Sequence, residues 1–264
     1  MYTVGIHGYD LFPLISLMPF DALTVGNHDL YDDGTIDYMK HGSGFIDGWN
    51  GTYLTSNTLN ATTMEPVGSR YTVMEGPNSG VRILTFGFLY HQTDSCGSVV
   101  VEDPASVVEE DWFKDALRSN GGSVDAIVVL GHMDKDDENV DVILNGIRSM
   151  AGEVKGLDTI NVQFVTGHTH YRGWTKKDSF SSSFEAGHYL DTLGFMSFDI
   201  TPDPTWFNFQ YVEANLESLC EFTGVEEDEF DTELGTEISK AIEEVRQSEE
   251  RSDGRAEGWS EATT

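Results

Sequence analysis

The chain has 264 residues, with 46 acidic against 15 basic side chains and a formal net charge of −31. Hydrophobic residues at 39% suffice for a packed core and argue against wholesale disorder. The negative field repels phosphate backbones and anionic membrane surfaces, which excludes a general nucleic-acid binder.

Residues 1–8 carry neither the basic n-region nor the long apolar h-region of a secretory signal peptide. No run approaches the ~20 apolar residues of a membrane span. Leu11, Leu14, Ile15 and Met18 follow the i, i+3, i+4, i+7 spacing of an amphipathic helix. Residues 21–25 form a short apolar run ending at Gly26-Asn27-His28. Residues 53–56 and 71–74 are strand-like, and residues 81–86 form a strand expected to end at Gly87. Ser106-Val-Val-Glu109 has the form of a capping box and predicts a helix burying Val108, Trp112, Ala116 and Leu117. Residues 126–130 and 160–165 are continuous apolar strands of the kind covered on both faces. Asp136 or Asp137 is placed to cap a helix that presents Val140, Ile143, Leu144 and Ile147 on one side. Residues 189–200 and 206–212 are β-rich with no helix between. Alternating βα units followed by a β-rich end predict an α/β sandwich of mixed β-sheets flanked by helices.

The far end changes character. Residues 221–264 hold 15 acidic and 4 basic side chains, with Ile238, Ala241, Ile242 and Val245 again at helical spacing. Such a stripe needs a partner surface. Residues 248–264 lose the period and are expected to be disordered. The division predicted is a core over residues 1–220 and an acidic helical lead-in with a tail over 221–264.

Three apolar strands each stop at a glycine followed by a metal-capable side chain: Gly26-Asn27-His28-Asp29, Gly131-His132 and Gly167-His168-Thr169-His170. Ligands of α/β folds bind at the carboxyl ends of strands. Neutral imidazole is the commonest metal ligand, and an amide oxygen is a harder donor suited to manganese or iron. Four of the eight histidines fall in these segments.

These three blocks resemble the later signature blocks of the calcineurin-like metallophosphoesterases. Tyr53-Leu-Thr-Ser-Asn57, Arg82-Ile-Leu-Thr-Phe-Gly-Phe88 and Gly187-His-Tyr-Leu-Asp-Thr-Leu-Gly194 are similar to the 5′-nucleotidase branch in its fungal form. The resemblance implies a phosphoester hydrolase acting on a small nucleotide-like substrate. It implies two divalent ions (manganese, zinc or iron), which activate a bound hydroxide and clamp the developing charge. It would place Asn27, His132 and His168 on one ion and His170 on the other. His28 would face the phosphate as general acid or charge stabiliser. It also implies a secreted or vacuolar location. Asn50-Gly51-Thr52 and Asn60-Ala61-Thr62 fit the N-glycosylation pattern, a triplet common by chance. Cys96 and Cys220 could pair in that compartment, or remain two buried thiols.

The chain departs from the family pattern in three ways. The first block, Asp-x-His, and the second, Gly-Asp, are not found; His7-Gly8 is a faint echo of the first. The expectation is a chain that begins after two strands and three ligands, lacks the C-terminal substrate domain, holds only one ion well, and as written is weakly active or inactive while the full-length product is a hydrolase. Tyr31 stands where many relatives pair the catalytic histidine with an aspartate, leaving Asp29 and Asp32 as nearby carboxylates. His188 follows the last block and could line the cleft. Two rival readings are a catalytically impaired relic that binds metal or a partner, and a protein-phosphatase-like activity.

Overall fold

A computed structural model describes residues 11–42, 44–92, 94–200 and 206–260. His7 and Gly8 lie outside them. In chain order the elements are α1 (Leu11–Leu17), β1 (Leu23–Thr24), α2 (Asp33–Asp37), α3 (Phe45–Gly48), β2 (Tyr53–Leu54), β3 (Thr58–Asn60), β4 (Tyr71–Glu75) and β5 (Arg82–Leu89). There follow β6 (Val99–Val101), α4 (Pro104–Val107), α5 (Asp111–Asn120), β7 (Ala126–His132), α6 (Glu138–Ser149), β8 (Asn161–Thr166), β9 (Arg172–Asp178) and β10 (Ser181–Ala186). The last are β11 (Thr192–Phe198), β12 (Phe207–Glu213), α7 (Leu216–Thr223) and α8 (Glu233–Ser260).

The chain divides into two units, residues 21–215 and a unit formed by residues 1–20 with 216–264. The larger unit is built on a six-stranded mixed sheet in the order β4-β5-β7-β8-β10-β9. Its middle four strands, β5, β7, β8 and β10, run parallel, and β4 and β9 close the two edges antiparallel. The alternation of side chains across a strand sorts the two faces. Leu84, Phe86, Phe88, Ile127, Val129, Val162 and Phe164 pack with Phe113 and Leu117 of α5 and with Val140, Ile143 and Ile147 of α6. The opposite face carries β1–β2 and the hairpin β11–β12. The layered α/β architecture is therefore the one predicted.

Several boundaries differ, each for a local reason. β5 does not end at Gly87 but runs through it to Leu89. A Cβ at Gly87 would lie 2.6 Å from Leu54 Cβ and 2.7 Å from the Leu54 carbonyl, so glycine lets β2 cross close over β5. β7 likewise continues through Gly131 to His132, because Phe88 and Leu89 stay in register opposite them. The helix expected from Ser106 starts earlier, at Pro104, with the Asp103 side chain accepting from Ala105 N–H. Proline at the first helical position is pre-organised for that start. The chain then breaks before α5, whose buried face is Phe113, Ala116 and Leu117 rather than Trp112. Asp137, not Asp136, caps α6 through Asn139 N–H at 2.8 Å.

The hairpin β9–β10 had no counterpart in the sequence reading. Ser181, Ser182 and Ser183 are fully buried within it. In the smaller unit, Ala241 and Val245 of α8 face Pro13, Leu14 and Leu17 of α1, while Ile242 of the same stripe stays exposed. α8 runs to Ser260, past the point at Ser248 where the period fades and disorder was expected. Glu249, Glu250 and Arg251 are good helix formers, so a helix can continue there without an apolar stripe. Cys96 and Cys220 are free thiols, both half-buried. Among the described residues no helix is long and apolar enough to cross a membrane.

Candidate active site

β1 delivers the chain to a 3₁₀ turn over Asn27–Leu30, closed by Gly26 N–H donating to Asp29 Oδ2 at 2.9 Å. Asn27 is buried, and both ends of its amide are used. Its Nδ2 donates to the Tyr31 hydroxyl at 2.7 Å. Its Oδ1 lies 2.8 Å from Nε2 of His132, the last residue of β7. A carbonyl oxygen only accepts, so that contact requires the Nε2-protonated tautomer. The two residues are 105 positions apart in sequence and meet because β1 and β7 end at one edge of the unit.

His168 and His170 lie on the loop after β8. Both have left-handed backbones, with φ of 91° and 67°. Non-glycine residues held there store strain of ~1–3 kcal/mol each, a feature that clusters at functional sites. Glu185 of β10 holds the loop. Buried to 1% exposure, it accepts from His170 N–H at 2.9 Å and from the Thr169 hydroxyl at 2.7 Å. The His168 ring stands 5.1 Å from that of His132 and 4.7 Å from that of Tyr90. The His170 ring stacks on His188 at 5.0 Å and 12°. His188 is tied to Asp191 through its backbone N–H, 3.1 Å from Oδ1, and a ring nitrogen 3.5 Å from Oδ2. Arg172 pairs with both Asp191 and Glu213. His28 is exposed on the 3₁₀ turn, edge-on to Tyr31 at 5.4 Å.

Electrostatics place the four imidazoles in one neighbourhood. The pKa of His132 falls to about 4, chiefly through burial and then through the positive charges of His168, His28 and His170. His132 is thus neutral at physiological pH, and its Nε2 can face a cation in the tautomer that carries the proton on Nδ1. Burial raises the pKa of Asp29 against the lowering effects of Gly26 N–H and His28. Asp29 and Asp32 both serve local structure, Asp32 as the cap of α2 through Thr35.

The structure therefore brings together Asn27, His132 and His168, sets His28 beside them, and places His170 against His188. Asn50 and Asn60 lie outside this cluster, Asn50 exposed in a turn and Asn60 at the end of β3 with its Oδ1 accepting from Thr62 and Thr63 N–H. Glu185, Tyr90 and Asp191 were not found by sequence reasoning. The one available signal for Glu185 was a lone carboxylate at the end of a serine run, two residues before Gly187-His188.

Among the described residues no three His, Cys, Asp or Glu side chains converge closely enough to hold a metal by themselves. The donors that do converge include an amide. Two imidazoles on one ion, with nitrogen at about 2.1 Å from it, have ring centroids about 5 Å apart. The 5.1 Å between His132 and His168, with Asn27 Oδ1 against His132, falls in that range, so these donors fit a single divalent cation.

Residues 6–172, more than half of the chain, match the calcineurin-like phosphoesterase family, and the chain belongs to it. Among solved structures it is similar to the 5′-nucleotidase of Candida albicans, with a TM-score of 0.81 and 26% identity, covering 91% of this chain and 44% of that one. The NAD nucleotidase of Haemophilus influenzae shares the fold at a TM-score of 0.59 and 13% identity, covering 93% and 54%. An uncharacterized protein of Schizosaccharomyces pombe is 27% identical over 88% of this chain, and a secreted protein of Arthroderma benhamiae is 28% identical over 70%. The chain spans 41% of the fission-yeast relative and 27% of the secreted one.

Proposed function

We propose that this chain hydrolyses a small nucleotide-like phosphomonoester with the help of divalent cations. The observation that carries the reading is the meeting of Asn27 Oδ1 with a neutral His132, with His168 beside them. Asn27, His132 and His168 would hold one ion and His170 a second. When bound, such ions polarise a phosphoryl oxygen and lower the pKa of water. The protein's own groups do the rest. Asn27, oriented by its buried turn, presents an uncharged oxygen that keeps the site net positive once loaded. His28, exposed beside Asn27, can give a proton to the leaving oxygen of the ester. Glu185 fixes the 168–170 loop so that ring positions do not have to be found anew on binding.

The acidic surface disfavours polyanions and leaves a small phosphoester as the substrate that fits. The similarity to the Candida 5′-nucleotidase supports a nucleotide. The relative described as a secreted protein supports a secreted or vacuolar location, where Asn50 and Asn60 would be open to glycosylation. A second reading, a cation-binding chain without turnover, is favoured by the lack of three converging His, Cys, Asp or Glu side chains among the described residues.

Phosphate release from nucleoside monophosphates, with manganese, zinc or iron added to metal-stripped protein, separates the two. The proposal predicts metal-dependent release that His28→Ala strongly reduces and that His132→Ala abolishes. Cation binding with no release from any phosphomonoester would establish the second reading instead.

A further inference from the structure

We propose that Tyr31 and Tyr90 form a positioning pair that presents the Asn27 carbonyl and the His168 ring to a divalent cation. The inference rests on the reading of Asn27, His132 and His168 as cation ligands.

An asparagine amide has two ends of similar shape and opposite use. Oδ1 can ligate a cation, whereas Nδ2 is a donor and cannot. In a buried position something must decide which end faces the site. The Tyr31 hydroxyl accepts from Nδ2 at 2.7 Å, which turns Oδ1 toward His132 at 2.8 Å. Tyr31 also lies edge-on to His28 at 5.4 Å, so the same ring borders both functional residues of the 3₁₀ turn.

Tyr90 extends the arrangement to the other strand end. It directly follows β5, with Tyr31 near enough to perturb its hydroxyl. Its ring lies 4.7 Å from His168, tilted by 39°. Tyr31 therefore backs Asn27 on the turn after β1, and Tyr90, past the end of β5, backs His168 on the loop after β8. His132 sits between the two ligands, 2.8 Å from Asn27 and 5.1 Å in ring separation from His168. His168 has a left-handed backbone and an exposed side chain, so a ring contact is a real constraint on its orientation. Groups that orient metal ligands from behind are a recognised determinant of affinity.

The test is cation binding by the whole chain, which does not depend on turnover. Metal-stripped protein is titrated with Mn²⁺ by calorimetry and with Co²⁺ by visible absorption. Tyr31→Phe keeps the ring and removes the acceptor, and it is expected to weaken binding about 10–100-fold. Tyr31→Asp, which restores an acceptor, should recover most of that loss. Tyr90→Phe should weaken binding less, because it backs His168 through its ring, which phenylalanine keeps. At saturating Mn²⁺, Tyr31→Phe should regain most of the wild-type kcat, which a general structural defect would not allow. Circular dichroism melts confirm that each variant is folded.

Unchanged affinity in a folded Tyr31→Phe, with binding lost in His132→Ala, would overturn the positioning role and leave the ligand assignment standing. Absence of cation binding by the unmodified chain, or binding that survives His132→Ala, would overturn the ligand assignment itself and this inference with it.

Discussion

The two sides of the site are built on different principles. Asn27 and His132 stand at the ends of β1 and β7, within or against the packed sheet, with their polar atoms already satisfied by one another and by Tyr31. His168 and His170 ride an exposed loop in strained left-handed conformations, held chiefly by the buried Glu185 carboxyl. The first side is rigid because the fold around it is rigid. The second stays in place because the Glu185 carboxyl accepts two hydrogen bonds that offset the strain. A site of this kind has one fixed wall and one adjustable wall, and the two should fail differently when disturbed.

The largest effect is expected on the fixed wall. His132→Ala or Asn27→Ala removes a donor outright and should weaken Mn²⁺ binding by more than about 100-fold, beyond what loss of an outer contact produces. Titration calorimetry reads this directly; a loss confined to tenfold would show that the cation sits elsewhere.

Glu185→Ala tests the adjustable wall. It leaves His170 N–H and the Thr169 hydroxyl without their acceptor, at a cost of about 1–3 kcal/mol. Urea unfolding should show that loss, and activity should fall while the Asn27–His132 contact persists. Equal damage to stability with full activity would mean that the loop positions nothing.

Each wall also has a remote support. Gly87 lets β2 lie against β5, and β2 pairs with β1, which carries Asn27. Gly87→Ala would force Leu54 away and should cost about 1–3 kcal/mol by overpacking, together with weaker cation binding. Asp178, at the end of β9, anchors the hairpin that carries Glu185 through Arg148, whose Nε lies 3.0 Å from Oδ2. Burial raises the Asp178 pKa, but the Arg148 hydrogen bonds and charge outweigh it and the net pKa falls below 3.8. A depressed folded pKa gives stability that is complete above the unfolded value and is lost as pH falls through the folded one. Asp178→Asn should therefore destabilise by about 1 kcal/mol near neutral pH, screened by the partial exposure of the pair. The difference from wild type should shrink below pH 4 in urea melts, and a pH-independent difference would contradict the ion-pair account.

The fixed wall was largely legible in the sequence and the adjustable wall only half so. Continuous apolar runs mark β7 and β8, and a glycine with a donor side chain after each marks the strand end. The 3.6-residue period and an aspartate cap mark α6. What escaped depended on contacts between distant segments. Ser181, Ser182 and Ser183 look like a loop by composition, yet they are a strand buried between β8 and β9. Gly87 looks like a strand end until the crossing of β2 is known. Ser106 carries a capping-box pattern, but Asp103 and Pro104 nucleate first. The role of Tyr90 arises only when the end of β5 meets His168, 78 positions away.

The central claim is that Asn27, His132 and His168 share one cation. The direct measurement is anomalous diffraction at the zinc edge from crystals of the whole chain grown with zinc. The account predicts a peak within about 2.0–2.2 Å of His132 and His168 ring nitrogens and of Asn27 Oδ1. A chain saturated with zinc whose anomalous peaks all lie away from these three residues would contradict it.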